Sequence, residues 1–387
     1  MRNTLNFKIL GSGPTGLFLS IVLSKFNLNI YLIDLLTRDK LVSKDKTYAI
    51  THSTRKILLK FDLWHKLEPF LFGFDTLSIK DTVTSQITNL TISDLDKDIS
   101  CAKNIGWVIK HSDLMDIFFQ EIDNHNNIFF INNQELSQKD LSFDYKFIAT
   151  GANSVAKTFR NIWEIKKSYN QSCLTFKILV RGNYEKRAYE IFREEGPLAL
   201  LPLDKNLYQI IWTASTSKTS ERLNSNRNFL LDNLSTILPN HIKVDEIIGE
   251  INVFPVSLSL NIPILNSNKF IFVGDSFHTF HPVGGQGLNT CWRDVNTIFQ
   301  ILNKNVFINK NNLRIFKFKY YFGRLIDILI TLAITDSLIT IFTNRKFLLF
   351  PLRKLSFLIL NKFSFIRKLI LNQMTKSFIF SSIKKHT

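Results

Sequence analysis

The sequence has only three cysteines in 387 residues: Cys101, Cys173 and Cys291, far apart and without a Cys-x-x-Cys pair. That spacing argues against a disulfide framework and a cysteine-built metal site, and it fits a reducing compartment. No uncharged apolar run reaches the ~18 residues of a membrane-spanning helix. The nearest candidate, Leu325 to Phe342, contains Asp327 and Asp336. The first residues lead straight into a strand pattern, so no signal peptide is expected. Internal repeats and low-complexity linkers are also lacking.

Acidic residues are in short supply, 32 against 49 basic ones, for a net charge of +17. Such an excess raises nucleic acid as a partner, but its distribution argues against one. Residues 301–387 hold 16 Lys and Arg against two Asp, interleaved with Phe, Leu and Ile, and the rest of the chain is nearly balanced. Basic residues rimming apolar faces suit an anionic membrane surface. The 45% hydrophobic content and the length allow two domains and a sizeable core.

Two stretches carry the chemistry. Phe7 to Leu10 read as a strand and run into Gly11-Ser12-Gly13-Pro14-Thr15-Gly16, which opens an apolar helix through Leu23. A second strand, Asn29 to Ile33, ends at Asp34, 18 residues past Gly16. This is the order and spacing of a dinucleotide fingerprint. Gly11 permits the tight turn, Gly13 lets a pyrophosphate approach, Gly16 lets the helix pack close, and Asp34 accepts from a ribose hydroxyl. Some 260 residues later, Phe270 to Val273 read as a buried strand that ends in Gly274-Asp275. His281-Pro282 and Gly284-Gly285-Gln286-Gly287 follow, with a helix from Leu288 through Asn289. A glycine-rich turn before a helix presents backbone N–H groups to an anionic or electron-rich group. His278 and His281 lack a third ligand nearby, so no metal is expected, and His281-Pro282 is read as shaping the loop. Arg293-Asp294 is read as a structural pair and Cys291 as a packed small residue.

Together these residues resemble the FAD-dependent aromatic hydroxylases, specifically the branch acting on ubiquinone precursors (2-polyprenyl-6-methoxyphenol hydroxylase-like). The resemblance covers roughly residues 1–345. It rests on the two glycine motifs and on Tyr189-Glu190-Ile191-Phe192 with Gly196-Pro197-Leu198-Ala199-Leu200-Leu201-Pro202-Leu203. Thr335-Asp336-Ser337-Leu338 ahead of Phe342-Thr343-Asn344 adds to it, and this segment leans towards a methoxyphenol substrate. The resemblance implies an α/β fold in which a Rossmann-type FAD-binding domain is interleaved with an antiparallel-sheet substrate domain, followed by a helical C-terminal tail. The expected domains are 1–70, 101–168 and 260–304 for FAD, 71–100 and 169–259 for substrate, and 305–387 for the basic helices.

The resemblance implies FAD as cofactor and NAD(P)H as reductant. O₂ would add at flavin C4a, and the peroxide would hydroxylate the ring of a polyprenylated phenol. Cofactor contacts are expected at Gly11, Gly13, Pro14, Thr15, Gly16, Asp34, Lys46, Gly274, Asp275, Pro282, Gly285, Gln286, Gly287, Leu288 and Asn289. Tyr189, Phe192, Pro197, Leu198, Leu200 and Pro202 are expected to line the substrate pocket. No catalytic acid or base can be named from the sequence. Two departures stand out: Lys46 replaces an arginine, keeping charge but losing the planar fork, and Thr150 replaces a carboxylate ahead of Gly151-Ala152-Asn153-Ser154. The family places that carboxylate near the pyrophosphate and the pyridine nucleotide. Two other readings stay open: another FAD oxidoreductase on an aromatic or prenyl substrate, or a non-catalytic member scaffolding quinone-biosynthesis proteins. The expected location is cytoplasmic, peripheral at the inner face of the membrane through the basic C-terminal helices.

Overall fold

The computed structural model describes residues 4–96, 103–132, 142–152, 162–182, 185–263, 270–304, 313–343 and 349–376. Cys101, Asn153, Ser154 and Asn344 lie outside them. Five parallel strands form a sheet in the order 270–272, 145–148, 5–10, 28–34, 128–132. Burial alternates along them, and Phe7, Ile9, Ile30, Leu32 and Phe147 have no accessible surface. The helices Pro14–Leu23, His111–Asp123 and Gly287–Asn303 pack together around Phe18, whose ring lies 5.2 Å from Trp292 and 6.0 Å from Phe118.

The second sheet has eight strands in the order 278–279, 243–263, 162–181, 207–215, 198–202, 187–192, 76–81, 86–91. It is antiparallel except where Arg187–Phe192 runs parallel to Thr76–Asp81. Ile162–Arg181 and Lys243–Pro263 are longer than the sequence pattern indicates and pair along their whole lengths. The domain boundaries expected at 168/169 and 259/260 therefore fall inside continuous strands. Phe72–Phe74 belongs instead to a small three-stranded sheet with Thr47–Ile50 and Gly106–Lys110.

One face of the large sheet is covered by the helix Arg227–Ile237, with Leu230 and Leu234 fully buried against Leu174, Tyr189, Leu198, Leu200 and Trp212. The helix Thr216–Asn224 precedes it, and the two are separate elements. Asn226 separates them by taking an extended conformation and accepting the Phe229 N–H at 2.8 Å.

The C-terminal region is helical, as expected, in three pieces: Leu313–Phe342, Phe350–Lys362 with Pro351 in its first turn, and Ser364–Lys376. The first is long and apolar enough, by length and composition, to cross a membrane. Its inner face nevertheless carries buried Arg324 and Asp327, both paired within the protein. The last two helices dock on the large sheet and its flanking loop. Thr88 Oγ1 donates to Asn361 Oδ1 at 2.8 Å, Arg367 Nε meets Asp94 Oδ1 at 3.1 Å, and Leu371 is buried.

Candidate active site

Three turns converge at the C-terminal ends of the parallel strands, where open α/β sheets bind ligands. At the first turn, Gly11 has φ +98°, and a Cβ there would lie 2.5 Å from the Ala149 carbonyl oxygen. A Cβ on Gly16 would lie 1.9 Å from the Gly11 oxygen, so helix and turn are in backbone contact. Gly13, by contrast, faces open space within 4 Å. Pro14 sits in the first turn of the helix, where its missing N–H is harmless. Thr15 reaches across to the second glycine motif: a Cβ on Gly274 would meet its Cγ2 at 2.9 Å.

Asp34 accepts the Ser12 N–H at 2.6 Å and the Leu36 N–H at 3.0 Å, which fixes its carboxylate beside the turn. At the third turn the Gly151 N–H donates to Ser276 Oγ at 3.2 Å, joining it to the Gly274–Ser276 segment. The Asp275 carboxylate is exposed, with the Cys291 thiol donating to it at 3.4 Å. Burial, then the nearby Asp275, pushes the Cys291 thiol well above its ordinary pKa, which keeps it a neutral packed side chain.

Pro282 leads into Gly284 and Gly285, with φ +72° and +61°. Those angles favour glycine and turn the chain into the helix Gly287–Asn303. The first-turn amides of Gly287, Leu288 and Asn289 have no intrahelical acceptor, and Gly287 faces open space. Gln286 Nε2 donates to Gly284 O at 3.1 Å. Asn289 is buried and acts as a clamp. Its Oδ1 accepts from Thr51 N–H, Thr51 Oγ1 and Thr54 Oγ1 at 3.0, 3.1 and 2.7 Å. Its Nδ2 donates to Ala49 O and Gly285 O, both at 2.8 Å. That side chain is fully engaged in holding the loop, so only its backbone faces the site. Lys46 is exposed just ahead of Thr47–Ile50, and Thr150 is exposed beside Gly151.

Behind the loop lies a buried ion network that sequence reading resolved only in part. Arg293 and Asp294 are both structural, but adjacent helix positions point in different directions and the two do not pair with each other. Arg293 Nε meets Asp327 Oδ2 at 2.9 Å, and Arg324 bridges Asp294 and Asp327, each at 2.6 Å. Asp294 Oδ2 also meets His278 Nε2 at 2.8 Å and accepts the Gly274 N–H at 3.0 Å. Burial alone would raise the Asp294 carboxyl, but His278 and Arg324 outweigh it and hold it below the usual carboxylate range. His281 Nδ1 accepts the Val283 N–H at 3.2 Å, so its ring proton sits on Nε2. Burial pushes its pKa down to about 3 and it stays neutral. Among the described residues no group of three His, Cys, Asp or Glu is placed to hold a metal ion.

The pocket residues divide by face. Tyr189, Leu198 and Leu200 point away from the glycine loop into the cluster under Arg227–Ile237. Phe192 points the other way, onto Val283 of the loop. Pro197 precedes the strand, its oxygen accepting the Thr213 N–H at 2.9 Å, and Pro202 is the strand's last residue. Strand alternation therefore passes the loop-facing role to Ala188, Glu190, Phe192, Ala199 and Leu201. Glu190 is the residue that sequence reading missed, although it stands two positions from Phe192.

These features fit a bound FAD. Open space lies over Gly13 and Gly287, where a pyrophosphate and a flavin edge need room. The Ser12 hydroxyl is buried without a partner beside the turn. Asp34 stands at the strand end, ready for a ribose.

Comparison with known proteins agrees. An FAD binding domain family matches residues 128–306. The uncharacterized protein slr1300 of Synechocystis is 26% identical over 320 residues, 78% of this chain and 75% of that protein. The 3-demethoxyubiquinol 3-hydroxylase of Escherichia coli is 27% identical over 154 residues, and that match spans only 40% of this chain and 39% of the hydroxylase. In structure, p-nitrophenol 4-monooxygenase from Pseudomonas putida superimposes with a TM-score of 0.74 at 14% identity, covering 98% of this chain and 100% of that one. Fold and site define an FAD-binding flavoprotein. Within that class the chain has the aromatic-hydroxylase fold, and the proteins it resembles include ubiquinone hydroxylases.

Proposed function

We propose that the chain hydroxylates the ring of a polyprenylated phenol on the route to ubiquinone. NAD(P)H, a proton and O₂ are consumed; the substrate gains one oxygen atom and the other leaves as water. The observation that carries this reading is the apolar flanking of the Gly284 loop. Val283 of the loop lies in a buried cluster with Phe192, Ile339, Phe342 and Phe357. Ala188, four residues before Phe192 on the same strand, lies in a second buried cluster with Phe74, Val108, Leu203 and Leu371. An apolar surround suits a prenylated ring and keeps water from the reacting centre.

FAD, when bound, supplies the electron transfer and oxygen activation. The chain's residues do the rest. The Gly11–Gly16 turn with Ser12 and Asp34 holds the nucleotide end. The first-turn amides of Gly287–Asn289 sit where negative charge needs donors. The Asn289 clamp fixes that helix end against Ala49 and Thr51.

The proposal includes peripheral attachment to an anionic membrane. Ile315, Phe318, Phe322, Ile326 and Leu329 form an exposed stripe on the helix Leu313–Phe342. Leu352, Leu355, Leu358, Phe365 and Leu369 are exposed on the last two helices. On the same helices Arg314, Lys319, Lys354, Lys362 and Lys368 are exposed.

The test uses full-length FAD-loaded protein with NAD(P)H, ¹⁸O₂ and a short-chain 2-prenyl-6-methoxyphenol. The expected result is a product heavier by one ¹⁸O. A flavin that neither bleaches nor consumes O₂ with any phenol overturns the reading and favours the scaffold role that Lys46 and Thr150 raise. For the membrane, the F318S/F322S protein is expected to lose co-sedimentation with phosphatidylserine-containing vesicles while keeping its flavin. Unchanged sedimentation refutes attachment through that stripe.

A further inference from the structure

The large sheet presents one carboxyl group to the glycine loop, and the mechanism above does not use it. Glu190 lies on the strand Arg187–Phe192, on the same face as Ala188 and Phe192 and opposite Tyr189 and Ile191. Its register partners are Ala199 on one side and Ile79 on the other, both apolar. It lies near the backbone N–H of Gly284, the residue that turns the loop toward the helix Gly287–Asn303, and that N–H pulls its carboxyl down against burial. It is enclosed by protein yet keeps some accessible surface, as a group at the bottom of a recess does. Met374 of the last helix approaches the same point: a Cβ on Gly284 would lie 3.7 Å from its Cε. A carboxyl group is thus fixed at the junction of the flavin loop and the apolar sheet, where the proposed phenol has to lie.

We propose that Glu190 is the proton acceptor for the phenol of the substrate. The inference rests on the monooxygenase reading above and deepens it. As the ring is hydroxylated, the phenol O–H bond breaks. Its electron pair stays on the ring oxygen and enriches the carbon under attack, and the proton moves to a Glu190 carboxylate oxygen. When product leaves, Glu190 returns the proton to entering water.

The surroundings fit this role. Burial pushes the Glu190 carboxyl up to about 7, against the opposing pull of the Gly284 N–H. A base is most effective with a pKa near the working pH. From the strand Ile162–Arg181, Cys173 senses Glu190, and burial pushes that thiol up to about 12, so it stays neutral. On the loop, His281 stays neutral as well. Farther along the sheet, Asp81 lies opposite Phe192 with Arg353 Nη1 4.0 Å from its carboxylate. Of Glu190, Cys173 and His281, Glu190 is the one whose charge changes near neutrality.

The test compares the holoenzyme with E190Q, which retains shape, and E190D, which retains the carboxylate. Flavin absorbance establishes folding in each. Without reductant, the affinity for the short-chain 2-prenyl-6-methoxyphenol is expected to rise about fivefold between pH 5.5 and 8.5 in the parent, because an ionised acceptor bonds more strongly. E190Q is expected to be flat over that range. In turnover, E190Q is expected to oxidise NAD(P)H while forming product about a hundredfold more slowly, and E190D to recover part of the loss with its pH dependence. An E190Q protein with the parent's pH profile and product yield overturns the assignment and leaves the monooxygenase reading standing. A parent protein that hydroxylates no phenol overturns both.

Discussion

Gly13 and Gly16 sit three residues apart in one turn, yet the structure assigns opposite consequences to the same added methyl group. At Gly13 the backbone is at φ −71°, ψ −178°, which alanine adopts freely, and a Cβ meets nothing within 4 Å. G13A therefore narrows the unfolded ensemble without native strain, and the apoprotein is expected to gain about 0.4–1 kcal/mol. That methyl occupies the space a pyrophosphate needs. Disturbing one charge-assisted backbone hydrogen bond costs about 1.5–3 kcal/mol, so FAD is expected to bind about tenfold to a hundredfold more weakly. At Gly16 the Cβ falls 1.9 Å from the Gly11 oxygen, a backbone atom that cannot swing aside. G16A is expected to lose about 1–3 kcal/mol before any cofactor is added. Thermal melts of both apoproteins, with FAD titrations followed by flavin fluorescence, separate the two effects. A G13A protein that binds FAD as the parent does would show that the pyrophosphate does not lie over this turn. A G13A apoprotein as unstable as G16A would refute the geometry of the turn itself.

Replacing Arg324 with methionine strands Asp294 and Asp327 in the interior, and a loss of about 3–5 kcal/mol in chemical denaturation is expected. Both carboxyls are held below their unfolded values. Their contribution is therefore complete above pH ~4 and disappears as pH falls further through the folded values, so the parent's excess over R324M should shrink in acid. Glu190 has the opposite sign. Its folded value of about 7 lies above the ordinary 4.5, so ionisation weakens the native state as pH rises through that window. By linkage, E190Q should be more stable than the parent by about 3 kcal/mol at pH 8, and the gap should close near pH 4.5. N289A removes the side chain that ties Thr51, Thr54, Ala49 and Gly285 together; a loss of about 3–5 kcal/mol and of flavin retention on gel filtration is expected.

The two glycine motifs could be read from sequence because each glycine answers a backbone requirement that few other residues meet. Gly11 and Gly284 at positive φ, and Gly16 against Gly11, are needs of the chain itself rather than of its neighbours. Facing was harder to read. Tyr189, Leu198 and Leu200 look like pocket residues by type, but type does not say which side of a strand is covered by Arg227–Ile237 and which by the loop. Once one face is known, period-two alternation settles the rest, and it brings forward Glu190, a residue whose polarity had argued against a core position. The length of Ile162–Arg181 was hidden for a similar reason. Glu164, Lys166 and Lys167 are exposed on a two-stranded ribbon, so no apolar pattern marks them as strand. The Thr335–Leu338 signature is a structural tie: Asp336 accepts from Lys167 Nζ at 2.5 Å and Tyr169 OH at 2.8 Å, fastening the long helix to that ribbon.

The helix Leu313–Phe342 buries Phe316, Ile328, Leu332, Ile339 and Phe342 beside two paired charges, and it carries a second apolar stripe on its outer face. Its inner face carries Arg324 and Asp327 because Asp294 and Arg293, buried beneath the glycine loop, need charge partners from outside their own helix. The Tyr321 hydroxyl oxygen accepts the Phe272 N–H at 2.8 Å, so the same face also steadies the strand leading into that loop. Ile315, Phe318, Phe322 and Ile326 remain outside, exposed on the opposite face. A stripe of that kind gains by finding an apolar cover. The attachment proposed above would give it that cover, through the same helix that braces the glycine loop.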